Sequence, residues 1–259
     1  MIPQSYITAW RKQAPWQEDY QVEQDLIIHR SLIALFGNEF ISERLAFRGG
    51  TALHKLFLKP AARYSEDIDL VQVKPEPFGP IIDKIRDVLS FLGTPRITQK
   101  QHNNTLVYRF PSEDNVPIKL KVEVNTREHF SVFGLKNMPL KLESAWIKDE
   151  TAVPVFSLDE LLATKLRALY QRKKGRDLFD LWYALNYAEV NIERVLKAFK
   201  HYIQKEGNLI SQRLFIENLE KKISDKNFTG DTNGLLRPDI IYHIGEAYEK
   251  VKKEILEKI

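Results

Sequence analysis

The chain has 259 residues, of which 43% are hydrophobic and 29% charged, and its formal net charge is +4. This length allows one large domain or two smaller ones with a buried core, and the composition is ordinary for a soluble globular protein. The charge is compatible with a polyanionic partner without requiring one, whereas the absence of cysteine excludes disulfides, thiolate metal sites and a cysteine nucleophile.

The sequence contains no segment of the kind that enters a membrane. No apolar run approaches the ~20 residues that a transmembrane helix needs. The first residues, MIPQSYITAWRKQ, lack the apolar core of a signal peptide. We therefore expect a cytoplasmic protein with no membrane association.

The first part of the chain alternates predicted helices and strands. Apolar residues recur at helical spacing between Glu18 and Phe40, and this helix is expected to pack against a sheet. Two further helices are predicted at Ala52–Leu58 and Ile81–Leu92. The predicted strands are Leu45–Arg48, Ile68–Val73, Arg96–Lys100, Thr105–Phe110 and Ile118–Thr126.

The pattern changes around residues 143–155 and is helical from there on. Ser157 and Glu160 form a capping box that opens a helix, which ends before Gly175. Further helices are predicted at 176–185, 192–206, 211–223 and 238–259, with a polar loop at 224–234. The chain is therefore divided into an α/β region, 1–150, and a helical region, 151–259.

The segment from Phe47 to Leu70 carries the clearest chemical signal. Gly49 and Gly50 precede a helix, so the backbone can approach a ligand closely and the free N–H groups of the helix end can receive phosphate. Asp67 and Asp69 occupy alternate positions of a strand and therefore share a face, about 6–7 Å apart. A phosphate-binding turn beside half of a cation site is typical of nucleotide chemistry.

The same residues carry a family resemblance. The turn Gly49–Thr51, followed by Arg63, Ser65, Asp67 and Asp69, resembles the nucleotidyltransferase fold of the DNA polymerase β superfamily. The longer string GGTAL…RYSEDIDL is similar to the AbiEii-type nucleotidyltransferase toxins, including the mycobacterial MenT group. The family's usual Gly-Ser is Gly-Thr here, which keeps a hydroxyl. The resemblance implies an α/β (α+β) core with a mixed sheet flanked by helices, followed by a helical domain that completes the active-site cleft.

A third carboxylate is predicted on the strand Ile118–Thr126. Its apolar and polar residues alternate, so Glu123 lies on the polar face and reaches Asp67 and Asp69 if the two strands are neighbours. A third acid on a later strand is common in the family, which makes Glu123 the best candidate and Glu128 the fallback. The alternative is a solvated face of Lys–Glu pairs.

Two residues of the helical region are further candidates. Lys165 falls at the centre of an apolar helix stripe, where it must snorkel or meet a carboxylate or phosphate. The resemblance favours a triphosphate contact, since family members carry a lysine on this helix. Asp177 lies on one helical face with Asp180. It is either the N-cap of its helix or, as the similar R-D-x-x-D-L of the family suggests, a residue that orients a ligand or the Lys165 side chain.

The resemblance implies a complete reaction and its partners. Asp67, Asp69 and Glu123 would bind Mg²⁺, with two ions expected. The triphosphate of an NTP would be bound by the glycine turn and by further polar side chains. These phosphate-binding residues are Gly49, Gly50, Thr51, Arg63, Ser65 and Lys165, with Asp177 assisting catalysis. The product would be a nucleoside monophosphate joined to an acceptor, which similarity to the MenT-like enzymes makes the 3′ acceptor end of tRNA. An antitoxin would neutralise the protein.

Two alternatives stay open at this stage. The same fold can transfer the nucleotide to a protein hydroxyl or to a small molecule. It can also serve as a non-catalytic module that binds nucleotide or RNA. Clustered carboxylates near phosphate argue against the binding module, because they disfavour an anionic ligand unless a cation is present.

Overall fold

The computed structural model describes residues 2–100, 103–144 and 146–259. The chain divides into two compact units, the first ending at Phe156 and the second running from Ser157 to Ile259. The division falls a few residues after position 150, because a strand that ends at Phe156 belongs to the sheet of the first unit. Among the described residues, no helix combines the length and the apolar character needed to cross a bilayer.

The described residues of the first unit form one seven-stranded mixed sheet with helices packed against it. The strands are β1 (Leu45–Arg48), β2 (Asp67–Gln72), β3 (Arg96–Lys100), β4 (Asn103–Pro111), β5 (Pro117–Asn125), β6 (Leu135–Glu143) and β7 (Lys148–Phe156). The helices are α1 (Gln4–Trp10), α2 (Asp19–Phe36), α3 (Glu39–Ser42), α4 (Gly49–Ala52) and α5 (Gly79–Val88). The predicted α/β class with a mixed sheet is confirmed.

The order of the strands places the short β1 and β2 at the middle of the sheet. The order is β3-β4-β5-β2-β1-β7-β6. The β2–β5 and β1–β7 pairs are parallel, and the remaining neighbours are antiparallel. The strand that carries Glu123 is therefore a direct neighbour of the strand that carries Asp67 and Asp69. Helix α2 packs against β5, β6 and β7 and buries apolar residues such as Leu26, Ile28 and Leu32.

Two strands were not predicted from the sequence. β6 and β7 form an antiparallel hairpin in the stretch where the sequence indicates a change to helix. Most of β6 is exposed, because it lies at the edge of the sheet, and its few buried positions give only a weak alternation. Pro139 and Pro154 lie within these strands, and proline usually argues against a strand unless it lies at an edge or a bulge.

Several helix boundaries also differ from the prediction. Helix α1 was not predicted, and the expected helix Glu18–Phe40 ends at Phe36 before the separate short helix α3. Helix α4 continues as a π-helical turn, Leu53–Phe57. The segment predicted as Ile81–Leu92 is α5 followed by a 3₁₀ turn at Ser90–Leu92.

The described residues of the second unit are helical, as predicted. Its helices are α6 (Leu158–Gln171), α7 (Gly175–Tyr187), α8 (Ile192–Lys205), α9 (Gln212–Ile223), α10 (Lys226–Thr229) and α11 (Ile244–Glu254). The last helix is shorter than the predicted 238–259, because residues 238–243 are not helical. Part of the predicted polar loop is helix α10 and a 3₁₀ turn at Gly230–Thr232. Ser157 caps α6 by accepting the backbone N–H of Glu160, as the capping box predicts.

Candidate active site

The glycine turn, Gly49 to Thr51, joins β1 to α4 and holds the side chain of Asp69 against its backbone. Gly49 has a φ of +80°, a conformation that side chains with a Cβ rarely adopt. A Cβ on Gly49 would overlap the Asp69 carboxylate. Asp69 therefore packs directly against the turn, and both the backbone angle and this close approach require glycine at position 49.

Thr51 and Ser65 connect the glycine turn to the start of β2. The Thr51 hydroxyl lies 2.7 Å from the Ser65 hydroxyl and also donates to the backbone carbonyl of Asp67. Thr51 is only 1% exposed. In this structure its hydroxyl holds the turn and the acidic strand together, and the predicted phosphate contact of Thr51 and Ser65 stays a prediction.

Arg63 lies behind the glycine turn. It is 2% exposed, and its Nη1 donates to the Tyr64 carbonyl at 3.0 Å. A Cβ on Gly50 would come within 2.5 Å of Arg63 Nη2, so the guanidinium is packed against the turn. This buried cation adds positive charge beneath the predicted phosphate site, and a direct contact between Arg63 and phosphate remains a prediction.

The register of β2 and β5 brings the predicted carboxylates onto one face of the sheet. Asp69 is opposite Glu123, and Asp67 is opposite Lys121. Neighbouring strands are about 4.8 Å apart, so these four side chains are adjacent. We call this set, Asp67, Asp69, Lys121 and Glu123, the acidic face. The next residues on each strand, such as Ile68 and Val122, point to the other side and are buried.

Lys121 lies between two of the carboxylates. Its Nζ is 3.1 Å from Asp67 Oδ2 and 4.0 Å from Glu123 Oε1. Partial burial alone would lower the pKa of Lys121, but the hydrogen-bonded Asp67 carboxylate and the charge of Glu123 outweigh it and raise that pKa. The ammonium therefore stays charged at neutral pH and offsets part of the repulsion among the carboxylates. The Lys–Glu pairing that the sequence offers as an alternative is thus present on this face.

The donor set of the acidic face suits a hard cation, although its side chains are not arranged as metal ligands. Within residues 2–100, 103–144 and 146–259, no group of three acidic or histidine side chains has the geometry to hold a metal ion. The face nevertheless offers carboxylate oxygens, the ligands that Mg²⁺ prefers, and a cationic group already lies between Asp67 and Glu123. The residues present therefore fit a divalent cation once Lys121 moves aside.

Glu128, the fallback for the third acid, has a different partner. Its Oε2 lies 2.6 Å from Arg48 Nη1, and both side chains are mostly buried. Arg48 ends β1 opposite Asp69. This ion pair neutralises Glu128, whereas Glu123 is in direct register with Asp69, so the strand pairing favours Glu123 over Glu128.

In the second unit, Lys165 is buried in an ionic cluster on α6 and α7. Its Nζ lies 3.1 Å from Asp177 Oδ1 and 2.9 Å from Asp180 Oδ2. The side chain of Lys165 is 8% exposed, and those of both aspartates are fully buried. Of the possibilities for Lys165 left open by the sequence, the structure shows a contact with carboxylates rather than a snorkelling side chain.

A family model for the AbiEii nucleotidyltransferase toxins of type IV toxin–antitoxin systems matches residues 30–250. The chain belongs to the AbiEii toxin family. The matched range covers the glycine turn, the acidic face and the Lys165 cluster. The protein is therefore a nucleotidyltransferase, as predicted, and its family pairs such toxins with antitoxins.

Solved structures share the fold of this AbiEii protein. MenT4, a nucleotidyltransferase toxin from Mycobacterium tuberculosis H37Rv, aligns with a TM-score of 0.60 and 16% identity over 100% of this chain and 91% of its own. A protein from H. pylori assigned as a nucleotidyltransferase aligns with a TM-score of 0.54 and 17% identity, over 93% of this chain and 98% of its own. No curated protein matches in sequence.

The Lys165 cluster of this AbiEii protein also corrects one interpretation of Asp177. Asp177 is the third residue of α7 and does not cap it, since Lys174 occupies the N-cap position. Its carboxylate instead accepts from Arg172 Nε at 2.7 Å and from Arg172 Nη2 at 2.8 Å, in addition to Lys165. Burial alone would raise the pKa of Asp177, but Lys165 and Arg172 hold it below its ordinary value.

Two residues near the candidate site of this AbiEii protein were not predicted from the sequence, Lys121 on the acidic face and Asp180 as a partner of Lys165. For each of them the spacing along the chain was a possible indication. Lys121 precedes Glu123 by two residues and so shares its strand face, and Asp180 follows Asp177 by three residues on one helical face. Their pairing depends on which strand and which helix lie beside them, and the sequence does not show that.

Proposed function

We propose that this AbiEii protein is a metal-dependent enzyme that transfers a nucleoside monophosphate from an NTP to the 3′ acceptor end of tRNA, and that a cognate antitoxin neutralises it. The observation that carries the proposal is the meeting of the acidic face with the glycine turn, where the side chain of Asp69 packs against Gly49. Carboxylates beside a backbone that can receive phosphate are what nucleotide transfer needs.

Asp67, Asp69 and Glu123 would hold Mg²⁺, with two ions expected from the family resemblance. When bound, the metal would polarise the α-phosphate and lower the pKa of the attacking hydroxyl. The chain's own part is to supply three carboxylates from two adjacent strands and to keep them in register, which the parallel pairing of β2 and β5 supports.

In the proposed reaction, the oxygen of an acceptor hydroxyl forms a bond to the α-phosphorus of the NTP. The bond between the α-phosphorus and the bridging oxygen breaks, and pyrophosphate leaves. The hydroxyl proton passes to a carboxylate of the acidic face. Backbone N–H groups of Gly50 and Thr51 would receive phosphate oxygens, supported by the buried Arg63 guanidinium behind the turn. Contacts of Ser65 and Lys165 with the triphosphate, and a catalytic role of Asp177, are part of the proposal.

The tRNA acceptor rests on the similarity of the motif to MenT-like enzymes and on the net positive charge. Phosphates dominate the affinity of proteins for nucleic acids, so a basic chain is suited to this partner. A protein hydroxyl and a small molecule remain competing acceptors, and the experiment below separates them from tRNA.

The test is a transfer assay with each nucleoside triphosphate labelled at the α-phosphate, Mg²⁺, and total RNA or total protein as acceptor. We expect label in the tRNA fraction, and treatment with a 3′ exonuclease should release it. Asp69→Asn should reduce the rate by at least about a hundredfold, because it removes a charge that the cation needs. The matched control is Asp87→Asn, the same change at an exposed position of α5.

Label in protein would replace the tRNA acceptor by a protein hydroxyl. The absence of labelled product with every nucleotide, together with nucleotide binding that survives Asp69→Asn, would favour the non-catalytic module instead. Equal activity of Asp69→Asn and Asp87→Asn would refute the assignment of the acidic face.

A further inference from the structure

The first unit contains a polar cavity that shares no lining residue with the acidic face or the glycine turn. Its volume is about 450 Å³, within the range of small-molecule sites. We call it the basic pocket and define it by its cationic and imidazole side chains. These are Lys12, His29, His54, Lys55, Lys59 and Lys141.

The floor of the basic pocket is a buried ion pair. Lys55 Nζ lies 2.9 Å from Asp25 Oδ2, and their side chains are 9% and 10% exposed. The indole N–H of Trp10 donates to Asp25 Oδ1 at 2.9 Å. Asp25 is the acidic side chain that lines the cavity within the described part of the chain. The Asp25 carboxylate is already paired with Lys55 and hydrogen-bonded by Trp10, so it does not neutralise the lysines at the mouth of the pocket.

The mouth of the basic pocket carries three more lysines. Lys12, Lys59 and Lys141 are exposed. Lys141 pairs with Glu150 at 2.9 Å, but both side chains are more than 60% exposed, and such surface pairs contribute little. Like charges that line one cavity repel each other and create a positive potential, which an anion would relieve.

The wall of the basic pocket contains a buried histidine with hydrogen-bonding capacity to spare. His29 is 8% exposed and has a backbone hydrogen bond with Lys141. Its Nε2 has no hydrogen-bond partner within residues 2–100, 103–144 and 146–259. Burial, together with the charge of Lys55, lowers the pKa of His29 to about 3. The imidazole is therefore neutral at physiological pH, and because its one N–H is used by the Lys141 backbone, Nε2 is an acceptor for a ligand O–H, such as that of hydrogen phosphate.

We propose that the basic pocket binds a phosphate group. Four lysines against one aspartate leave an excess of more than one positive charge, which suits a dianion, and lysine ammonium groups are common ligands of phosphate. The group can come from a free phosphate or mononucleotide, or from the backbone of an RNA strand. The pocket is separate from the transfer reaction proposed above, and neither proposal depends on the other.

The test follows the histidine-ring nitrogen resonances of the full chain by NMR, without NTP and with divalent metals chelated. The probes are inorganic phosphate, a nucleoside monophosphate and a short single-stranded RNA, and calorimetry gives their affinities. We expect the ring signals of His29 and His54 to shift with saturation. A response to phosphate alone assigns the site to free anions, and a response that requires RNA assigns it to the RNA backbone.

The decisive variant is Lys12→Glu combined with Lys59→Glu, since both side chains are exposed and their exchange leaves the buried Lys55–Asp25 pair intact. Affinity should fall at least tenfold, or about 1.4 kcal/mol. The matched control is Lys197→Glu with Lys200→Glu, which makes the same charge change on the exposed side of α8. Unshifted His29 and His54 signals with all three probes, or equal loss of affinity in variant and control, would overturn the proposal.

Discussion

The side chain of Lys121 should control how tightly the acidic face binds a divalent cation. Its ammonium lies 3.1 Å from Asp67 and 4.0 Å from Glu123, the same carboxylates that a metal ion would use. Metal and ammonium would therefore compete for these oxygens. Lys121→Met removes the charge and keeps most of the aliphatic stem, so the affinity for metal should rise.

The size of the effect follows from the geometry. Coulomb's law gives about 5 kcal/mol for the 3.1 Å contact at an effective dielectric of about 20 and about 1 kcal/mol in bulk water. The side chains of Lys121, Asp67 and Glu123 are 28%, 27% and 34% exposed, so solvent screening places the net value near the lower end. About 1–2 kcal/mol corresponds to a change of about 5- to 30-fold in an equilibrium constant.

The assay is Mn²⁺ binding, followed by electron paramagnetic resonance in the absence of nucleotide, with Mg²⁺ as competitor. Thermal unfolding gives a second measurement, since a ligand that binds the folded state raises the melting temperature. The control is Lys119→Met, because Lys119 lies two residues earlier on the same face of β5 and is exposed. Metal affinity that is unchanged or weaker in Lys121→Met, with Lys119→Met equal to wild type, would refute this competition.

Three further predictions concern stability. Gly49→Ala should lower the free energy of unfolding in urea by at least about 2 kcal/mol, because alanine at φ +80° is strained and its Cβ would overlap the Asp69 carboxylate. The control is Gly79→Ala, which should be neutral or stabilising because a Cβ there meets open space. Lys165→Met should destabilise by about 3–5 kcal/mol, because it removes the ammonium that lies about 3 Å from two buried aspartates. The exposed Lys197→Met should change urea unfolding little. The pKa of Asp177 is held below 3.8, so its carboxylate contributes stability that is complete above about pH 4 and is lost as the pH falls through its folded pKa. The stability difference between wild type and Asp177→Asn should therefore shrink as the pH falls below about 4, and a difference independent of pH would contradict the ion-pair explanation.

The central part of the sheet was predictable because each signal there is local. A glycine turn, a strand with two alternate aspartates and a strand with strict alternation each follow from neighbouring residues. The approach of Glu123 to Asp67 and Asp69 needed one further assumption, that the two strands are neighbours in the sheet. The structure shows them paired in parallel, with Glu123 opposite Asp69.

The parts that were not predicted depend on distant neighbours. β6 and β7 are stabilised by pairing with each other and, through β7, with β1, so their exposed and proline-containing sequences carry little pattern of their own. Hydrophobic periodicity placed Lys165 correctly on the buried side of its helix. It could not identify the partners of Lys165, because that contact requires α6 and α7 to pack together. The suggestion that Asp177 orients Lys165 came from the family resemblance, and Asp180 was not named as a partner.

The sequence leaves two interpretations of β5 open, a solvated face of Lys–Glu pairs and a cation site, and the structure shows why they are compatible. The acidic face carries three carboxylates and one ammonium, so its formal charge stays negative after Lys121 has paired with Asp67. Three such carboxylates without any counterion would repel each other by several kcal/mol. The Lys121 ammonium, on its flexible side chain, can reduce this repulsion in the metal-free protein. Lys121 is part of β5, so its side chain can move away from the carboxylates by a change of rotamer that does not disturb the strand. The Lys–Glu pairing would then be the metal-free state of the proposed cation site.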